Sequence, residues 1–284
     1  MAEHLSPERM EQFSRILGDL ADDLDVPPSK YEEAKEHYDA VGAWLNDSPD
    51  LAALNPTIYP QGSFALGTAI KPVGDGDYDV DAVCVLQLST ATTTQHAVKT
   101  LVGDRLKENK TYARMLHPKA GGRRCWTLKY ADSSNFHLDI LPAVPDSQRE
   151  LVRLGVPPEI AKYAICITDR ELWAVALTWP RSNPQGYVEW FKSRMRVVFE
   201  ERRQLRALEI RASVQDIQDY QVRTPLQRLI QLLKPTFQRS RPCSAQLCVC
   251  QSGAESSCAS SATGYFAFLA LQPRWRGFGS ASWA

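Results

Sequence analysis

The 284-residue chain has no apolar run long enough to cross a membrane. Its acidic start lacks the basic leader and apolar core of a secretory signal. These absences predict a cytoplasmic protein with no membrane partner. There is no excess charge either: 33 Lys and Arg residues face 33 Asp and Glu, so no global field draws the chain to a polyanion. A paired zinc ribbon is also missing. Cys84, Cys125 and Cys166 are scattered and read as buried thiols, whereas Cys243, Cys248, Cys250 and Cys258 lack CxxC pairing and an accompanying histidine. An EF-hand starting at Asp75 would need Gly at its sixth position and Glu at its twelfth; Val80 and Leu86 stand there. The neutral total hides one asymmetry. Residues 1–50 carry 13 acidic and 4 basic side chains, and residues 99–130 carry 9 basic and 2 acidic. The basic stretch reads as a solvated helix and strand face, and nucleotide or polyanion contact is the alternative, so nucleic-acid binding is left open.

What is present centres on YPQGSFALGTAIKPVGDGDYDVDAVCVL, residues 59–86. The β-branched residues after Asp79 predict a strand. Alternation then puts Asp79 and Asp81 on one face, roughly 6.5–7 Å apart along the chain. Two carboxylates so placed repel each other, and a hard divalent cation such as Mg²⁺ is the simplest relief. Upstream, residues 64–69 predict a short helix opened at Ser63. Its free amides, the Ser63 hydroxyl and the bare Cα of Gly62 would seat an anion. A third carboxylate, Asp139, lies mid-strand among apolar neighbours, where it is disfavoured unless something holds it. Phe136, Leu138 and Ile140 share one face of that strand, and His137, Asp139 and Leu141 the other.

Around this centre the chain predicts a helix over 7–24 with Ser6 as N-cap and an apolar face of Met10, Phe13, Ile16, Leu17, Leu20 and Leu24. Pro27-Pro28 breaks it. Ser29 to Glu32 reads as a capping box for a second helix that buries Tyr31, Ala34, Tyr38, Val41 and Leu45. A helix over 93–107 follows, then strands over 124–130 and 135–141 joined by a turn near 132–134. After Pro142 the chain is expected to turn helical, with helix starts at Asn183-Pro184 and at Thr224-Pro225. In the last helix, Leu226, Leu229, Ile230 and Leu233 mark the apolar face.

An anion seat followed by paired aspartates resembles the signature of the DNA polymerase β-type nucleotidyltransferases. The segments GSFALGTAIKP, GDYDVDAV, FHLDILPAVP, WPRSNPQGYVEWFKSRM and RTPLQRLIQLLK, in this order, are similar to the bacterial cGAS/DncV-like nucleotidyltransferases, over roughly residues 30–234. The resemblance implies an α+β fold: N-terminal bracing helices (1–50), a catalytic lobe whose mixed β-sheet carries the aspartates (51–145), and a truncated helical second lobe (146–234). It implies that Asp79, Asp81 and Asp139 hold two Mg²⁺ ions, which Mn²⁺ can replace, and that Asp139 positions or deprotonates the attacking hydroxyl. Gly62 and Ser63 would hold the β- and γ-phosphates with help from Gln61. Lys234 would meet the triphosphate, its alternative being a helix-end lysine opposite the dipole. NTPs would be joined into a cyclic oligonucleotide that activates an operon-encoded effector in antiphage signalling, with regulatory proteins as further partners. Transfer to an RNA end or a protein, and an inactive remnant, are the competing readings.

From Pro235 the composition changes. Residues 235–284 contain one acidic residue, no Lys, no Ile, nine Ser and four Cys, and Pro235 is expected to end the preceding helix. The sequence reads as out of frame, or as a misassembled end, from about 235, with a lineage-specific tail as the alternative. Translating the gene in the other two frames past the Lys234 codon should restore a charged amphipathic helix; two further frames without one would refute the frameshift.

Overall fold

A computed structural model describes residues 6–239 apart from 73, 75, 131–134 and 174–177. The expected turn at 132–134 and the tail from 240 onward lie outside the described residues. The chain opens with helices α1 (Pro7–Leu24), α2 (Pro28–Asn46) and α3 (Pro49–Ala52), strand β1 (Thr57–Pro60) and the short helix α4 (Gly62–Leu66). Strand β2 (Tyr78–Val85), helices α5 (Gln95–Glu108) and α6 (Lys110–Met115), and strands β3 (Trp126–Lys129) and β4 (Phe136–Pro145) complete the centre. Then come α7 (Gln148–Arg153), α8 (Pro158–Ala161), β5 (Ile165–Ile167), α9 (Arg170–Trp173) and β6 (Arg181–Ser182). The long helix α10 (Pro184–Ile210) and α11 (Pro225–Arg239) end the described chain.

The six strands form one mixed sheet in the order β1-β2-β4-β5-β6, with β3 also paired to β4. Only β2 and β4 run parallel. The α+β expectation holds. Val80, Ala82 and Cys84 of β2 and Leu138 and Ile140 of β4 pack on Ala34, Val41 and Leu45 of α2 and Val98, Val102 and Leu106 of α5. Each fully buried Val, Leu or Ile among them contributes roughly 1.5–3 kcal/mol. The other face carries Val83, Val85, Leu141, Ala143, Ile165 and Ile167, with the aspartates upstream of them. Among the described residues no helix is long and apolar enough to cross a membrane.

Several local expectations need correction. Ser6 caps α1 as expected, its hydroxyl accepting from the Arg9 N–H. The apolar face of α1, however, is exposed: Phe13 at 52% and Ile16 at 60%, with Met10, Leu17 and Leu20 similar. Spacing shows that a face can be buried; it does not supply the partner. Ser29 caps nothing, because α2 already begins at Pro28, whose missing N–H suits a first helical position. Helix α4 begins two residues earlier than expected, at Gly62 with Gln61 as its N-cap, and ends at Leu66. After Pro142 the chain stays in β4 to Pro145 and returns to the sheet as β5 and β6. Helix α11 runs through Pro235 to Arg239. Of its expected apolar face only Ile230 packs inward, against Leu66, Phe191 and Met195. Leu226, Leu229 and Leu233 are exposed, and Gln227 and Gln231 are buried.

Most of the basic stretch is spent within the fold. Lys99 Nζ donates to the carbonyls of Gly122 (2.5 Å) and Arg123 (3.0 Å). Arg105 donates to the Trp44 carbonyl. Arg123 and Arg124 each donate an Nε–H to Asp169, both at 2.9 Å, and the Asp169 N–H donates to Gln95 Oε1. Burial alone would raise the Asp169 carboxyl, but the two arginines hold it below its ordinary value. Asp169 is 0% exposed, and removing one partner of a buried pair costs about 3–5 kcal/mol. Arg123 is half exposed, so Asp169→Asn should lose about 3 kcal/mol in denaturant unfolding. A carboxyl held low stabilises above its unfolded value and loses that contribution as pH falls through its folded one. The wild type should therefore lose more stability than the Asn variant on acidification below about pH 4; parallel curves would contradict this account.

Candidate active site

Strand register builds the site as a grid. Parallel pairing sets Asp81 beside Asp139 and Asp79 beside His137. On the other side of β4, antiparallel pairing sets Thr127 beside Asp139 and Lys129 beside His137. Neighbouring strands lie about 4.8 Å apart, and alternate side chains share a face. Asp79, Asp81, His137, Asp139, Thr127 and Lys129 therefore occupy the face away from α2 and α5. At its rim His137 Nε2 lies 2.8 Å and Lys129 Nζ 3.5 Å from Asp77 Oδ2.

Asp79 and Asp139 are mostly buried, and their chemistry reflects it. Burial, then the charge of Asp139, pushes Asp79 up to about 6, while Lys234 pulls the other way. Burial also raises Asp139; the Thr127 hydroxyl, His137 and Lys99 oppose it. That hydroxyl donates to Asp139 Oδ1 at 2.5 Å. Asp81 stands against Gly62: a Cβ added there would lie 2.8 Å from Asp81 Oδ2, and Gly62 has φ +63°. The Gln61 N–H donates to the Asp81 carbonyl (2.8 Å), which pins α4 to β2. The Ser63 carbonyl closes α4 by accepting from Thr68 and Ala69. Gln61 is buried, and its Oε1 has no partner among the described residues.

Lys234 reaches the site although it lies 153 residues after Asp81, because α11 is latched to α4. Thr224 and Gln227 form a reciprocal cap, with the Thr224 N–H donating to Gln227 Oε1 (2.8 Å). Gln227 Nε2 donates to the Leu66 carbonyl, and Gln231 Nε2 to the Ala69 carbonyl and to Asp25 Oδ1, all at 2.9 Å. Arg223 donates to Asp25 Oδ1 (3.0 Å) and to the Tyr31 hydroxyl (3.0 Å). The next residues of the helix bring Lys234 within the fields of Asp79 and Asp81. Burial lowers its amine to about 8, against the pull of both carboxylates.

Sequence reasoning named the aspartates, the Gly-Ser element and Lys234. It missed Thr127, the Asp77–His137–Lys129 rim and the glutamine latch. The latch was visible only as a Thr224, Gln227, Gln231 stripe at helical spacing, opposite more conspicuous leucines. A cavity of about 510 Å³ opens on the other side of the sheet, between α2, α4 and α10, where Val80 rather than any of the three aspartates reaches it.

The donors suit a hard divalent ion in kind: carboxylate oxygens, with no soft ligand beside them. The Asp79 carboxyl is raised first by burial and then by the charge of Asp139, and a cation would relieve the second. As arranged, no three carboxylate, imidazole or thiol groups among the described residues converge enough to hold one. One oxygen of Asp81 stands toward Gly62 and one of Asp139 toward Thr127, on opposite sides of the grid. Gly62→Ala should disturb this side of the site. Its positive φ costs an L-residue about 1–2 kcal/mol, and the Cβ would displace Asp81. Chemical denaturation should show that loss together with weakened Mn²⁺ binding; unchanged Mn²⁺ affinity would contradict the placement of Asp81.

Comparison with known proteins extends the geometry. Residues 10–194 match the family described as "Second Messenger Oligonucleotide or Dinucleotide Synthetase domain". A c-di-GMP synthase of Roseivirga ehrenbergii is 31% identical over 230 residues, 78% of this chain and 54% of the relative. The cyclic dinucleotide synthase CdnG of Bradyrhizobium diazoefficiens is 29% identical over 136 residues, 47% of this chain and 30% of the relative. The chain thus spans about half the length of the first relative and less of the second. The solved Bradyrhizobium CdnG structure, in complex with GTP, overlaps 63% of this chain and 45% of its own, at 22% identity and a TM-score of 0.46. A family match over more than half of its length shows that the chain belongs to the Second Messenger Oligonucleotide or Dinucleotide Synthetase family, the bacterial cGAS/DncV-like nucleotidyltransferases.

Proposed function

We propose that this chain carries the catalytic centre of a nucleotidyltransferase that joins NTPs into a cyclic dinucleotide, and that the product serves an operon-encoded effector in antiphage signalling. The observation that carries the chemistry is the single face on which Asp79, Asp81 and Asp139 stand, with Lys234 opposite and Gly62-Ser63 beside Asp81. The signalling role rests on the family alone. The names of the two curated relatives favour a dinucleotide, and that of the Roseivirga protein makes GTP the first substrate to test.

In this reading Asp79, Asp81 and Asp139 would hold two Mg²⁺ ions, which Mn²⁺ can replace. When bound, such a pair supplies charge stabilisation at the attacking and leaving oxygens of an in-line displacement. The chain's own groups do the rest. Asp139 orients the attacking ribose hydroxyl and takes its proton as the oxygen bonds to the α-phosphorus and pyrophosphate leaves. Its burial, which raises the carboxyl, makes it a better proton acceptor than a solvated aspartate. Gly62 gives the β- and γ-phosphates close approach to the backbone, with Ser63 and Gln61 beside them. Lys234, as an ammonium, offsets phosphate charge from the α11 side.

The test is incubation of the purified chain with four labelled NTPs and Mg²⁺ or Mn²⁺, followed by phosphatase. A phosphatase-resistant product should form, GTP should be consumed, and Asp79→Ala/Asp81→Ala should lower the rate on the order of 10³-fold or more. Label appearing on RNA or protein instead would overturn the cyclic product. No turnover by folded wild-type chain would contradict an active centre in this polypeptide.

A further inference from the structure

We propose that Thr127 is a positioning residue of this site: its hydroxyl holds Oδ1 of Asp139 and leaves Oδ2 to face the reacting groups. The proposal rests on the reading of Asp79, Asp81 and Asp139 as the reaction centre. It stands on register and distance. Thr127 is the β3 residue directly opposite Asp139, on the same face, and its Oγ1 lies 2.5 Å from Oδ1. Asp81 and Asp79 flank Asp139 from β2, on the other side of β4, and cannot donate to it as carboxylates. A buried carboxylate with no fixed donor can sample several rotamers; one oxygen tied to a strand that is itself paired along β4 sets its plane.

Strand formation does not require this hydroxyl. Valine has the same shape and an equal or better fit to a pleated strand, so a threonine serving only the sheet could be replaced without loss. Outer groups that orient first ligands typically account for 10–100-fold in metal affinity or activity, and that sets the expected size of the effect. The geometry also links a local feature to the grid. Thr127 adjoins Trp126, which is buried and donates its indole N–H to the Lys99 carbonyl, so the strand carrying Thr127 is anchored to α5.

The test compares wild type, Thr127→Val, Thr127→Ser and Asp79→Ala/Asp81→Ala, all checked for an unchanged melting transition. Two readouts are taken: steady-state kinetics with GTP, and Mn²⁺ binding by electron paramagnetic resonance without turnover. Thr127→Val should lower kcat roughly 10–100-fold with KM within about twofold, and weaken Mn²⁺ binding by a similar factor. Thr127→Ser, which keeps the hydroxyl, should restore both to within about threefold. If Thr127→Val matches wild type in Mn²⁺ affinity, or if Thr127→Ser is as impaired as Thr127→Val, the positioning role is wrong while the centre stands. If the double aspartate variant binds Mn²⁺ like wild type, the reading of the centre itself fails, and the proposal with it. Should wild type show no turnover, the Mn²⁺ measurement alone decides between these outcomes.

Discussion

Gln227 and Gln231 donate to the carbonyls of Leu66 and Ala69, and the approach of the later helices to the carboxylates hangs on those bonds. The two carbonyls lie at the end of α4 and just beyond it, so the helix that begins at Gly62 is clamped from its far end by α11. Asp25 joins the same network from the α1–α2 junction through Arg223 and Gln231. A net hydrogen bond here contributes only about 1 kcal/mol, but leaving a buried carbonyl bare costs 1–3 kcal/mol. The geometry is therefore fixed more by what separation would leave unpaired than by the strength of any one bond. Lys234, within one turn of Gln231, inherits its place from this latch.

The sheet imposes the second constraint. Because β2 and β4 are parallel and in register at Asp81 and Asp139, the carboxylates are brought together by backbone hydrogen bonding, and their own mutual repulsion is overruled. The apolar packing of Val80, Ala82, Leu138 and Ile140 on α2 and α5 holds the aspartate-bearing strands from behind. Burial first, and then the charge of Asp139, drives the Asp79 carboxyl up to about 6. Displaced ionisation of this kind clusters at functional sites.

Much of this was legible in the sequence. Period-2 alternation placed Asp79, Asp81 and Asp139 on strand faces, and the Thr-Pro-Leu-Gln motif predicted the start of α11 correctly. What failed has a common cause. Helical spacing identifies an apolar face, but burial is decided by what another part of the chain brings to it. In α11 the leucines at 226, 229 and 233 are exposed, and the glutamines are buried because Leu66 and Ala69 offer them unpaired carbonyls. Those carbonyls lie some 160 residues upstream, beyond the reach of any local pattern. Pro235 was expected to stop the helix on propensity alone, and α11 continues through it to Arg239. Thr127 was invisible for a related reason: a threonine in a strand is unremarkable until register sets it opposite an aspartate.

The most direct test of the account is a crystal structure of the chain soaked with Mn²⁺ and a non-hydrolysable GTP analogue, with anomalous data at the manganese edge. Manganese should be bound by Asp79 and Asp81 with Oδ2 of Asp139 facing the same site, phosphate oxygens should lie against the amides of Gly62 and Ser63, and Lys234 should stand beside the triphosphate. Manganese away from the β2–β4 carboxylates, or a triphosphate seated anywhere but α4, would contradict it.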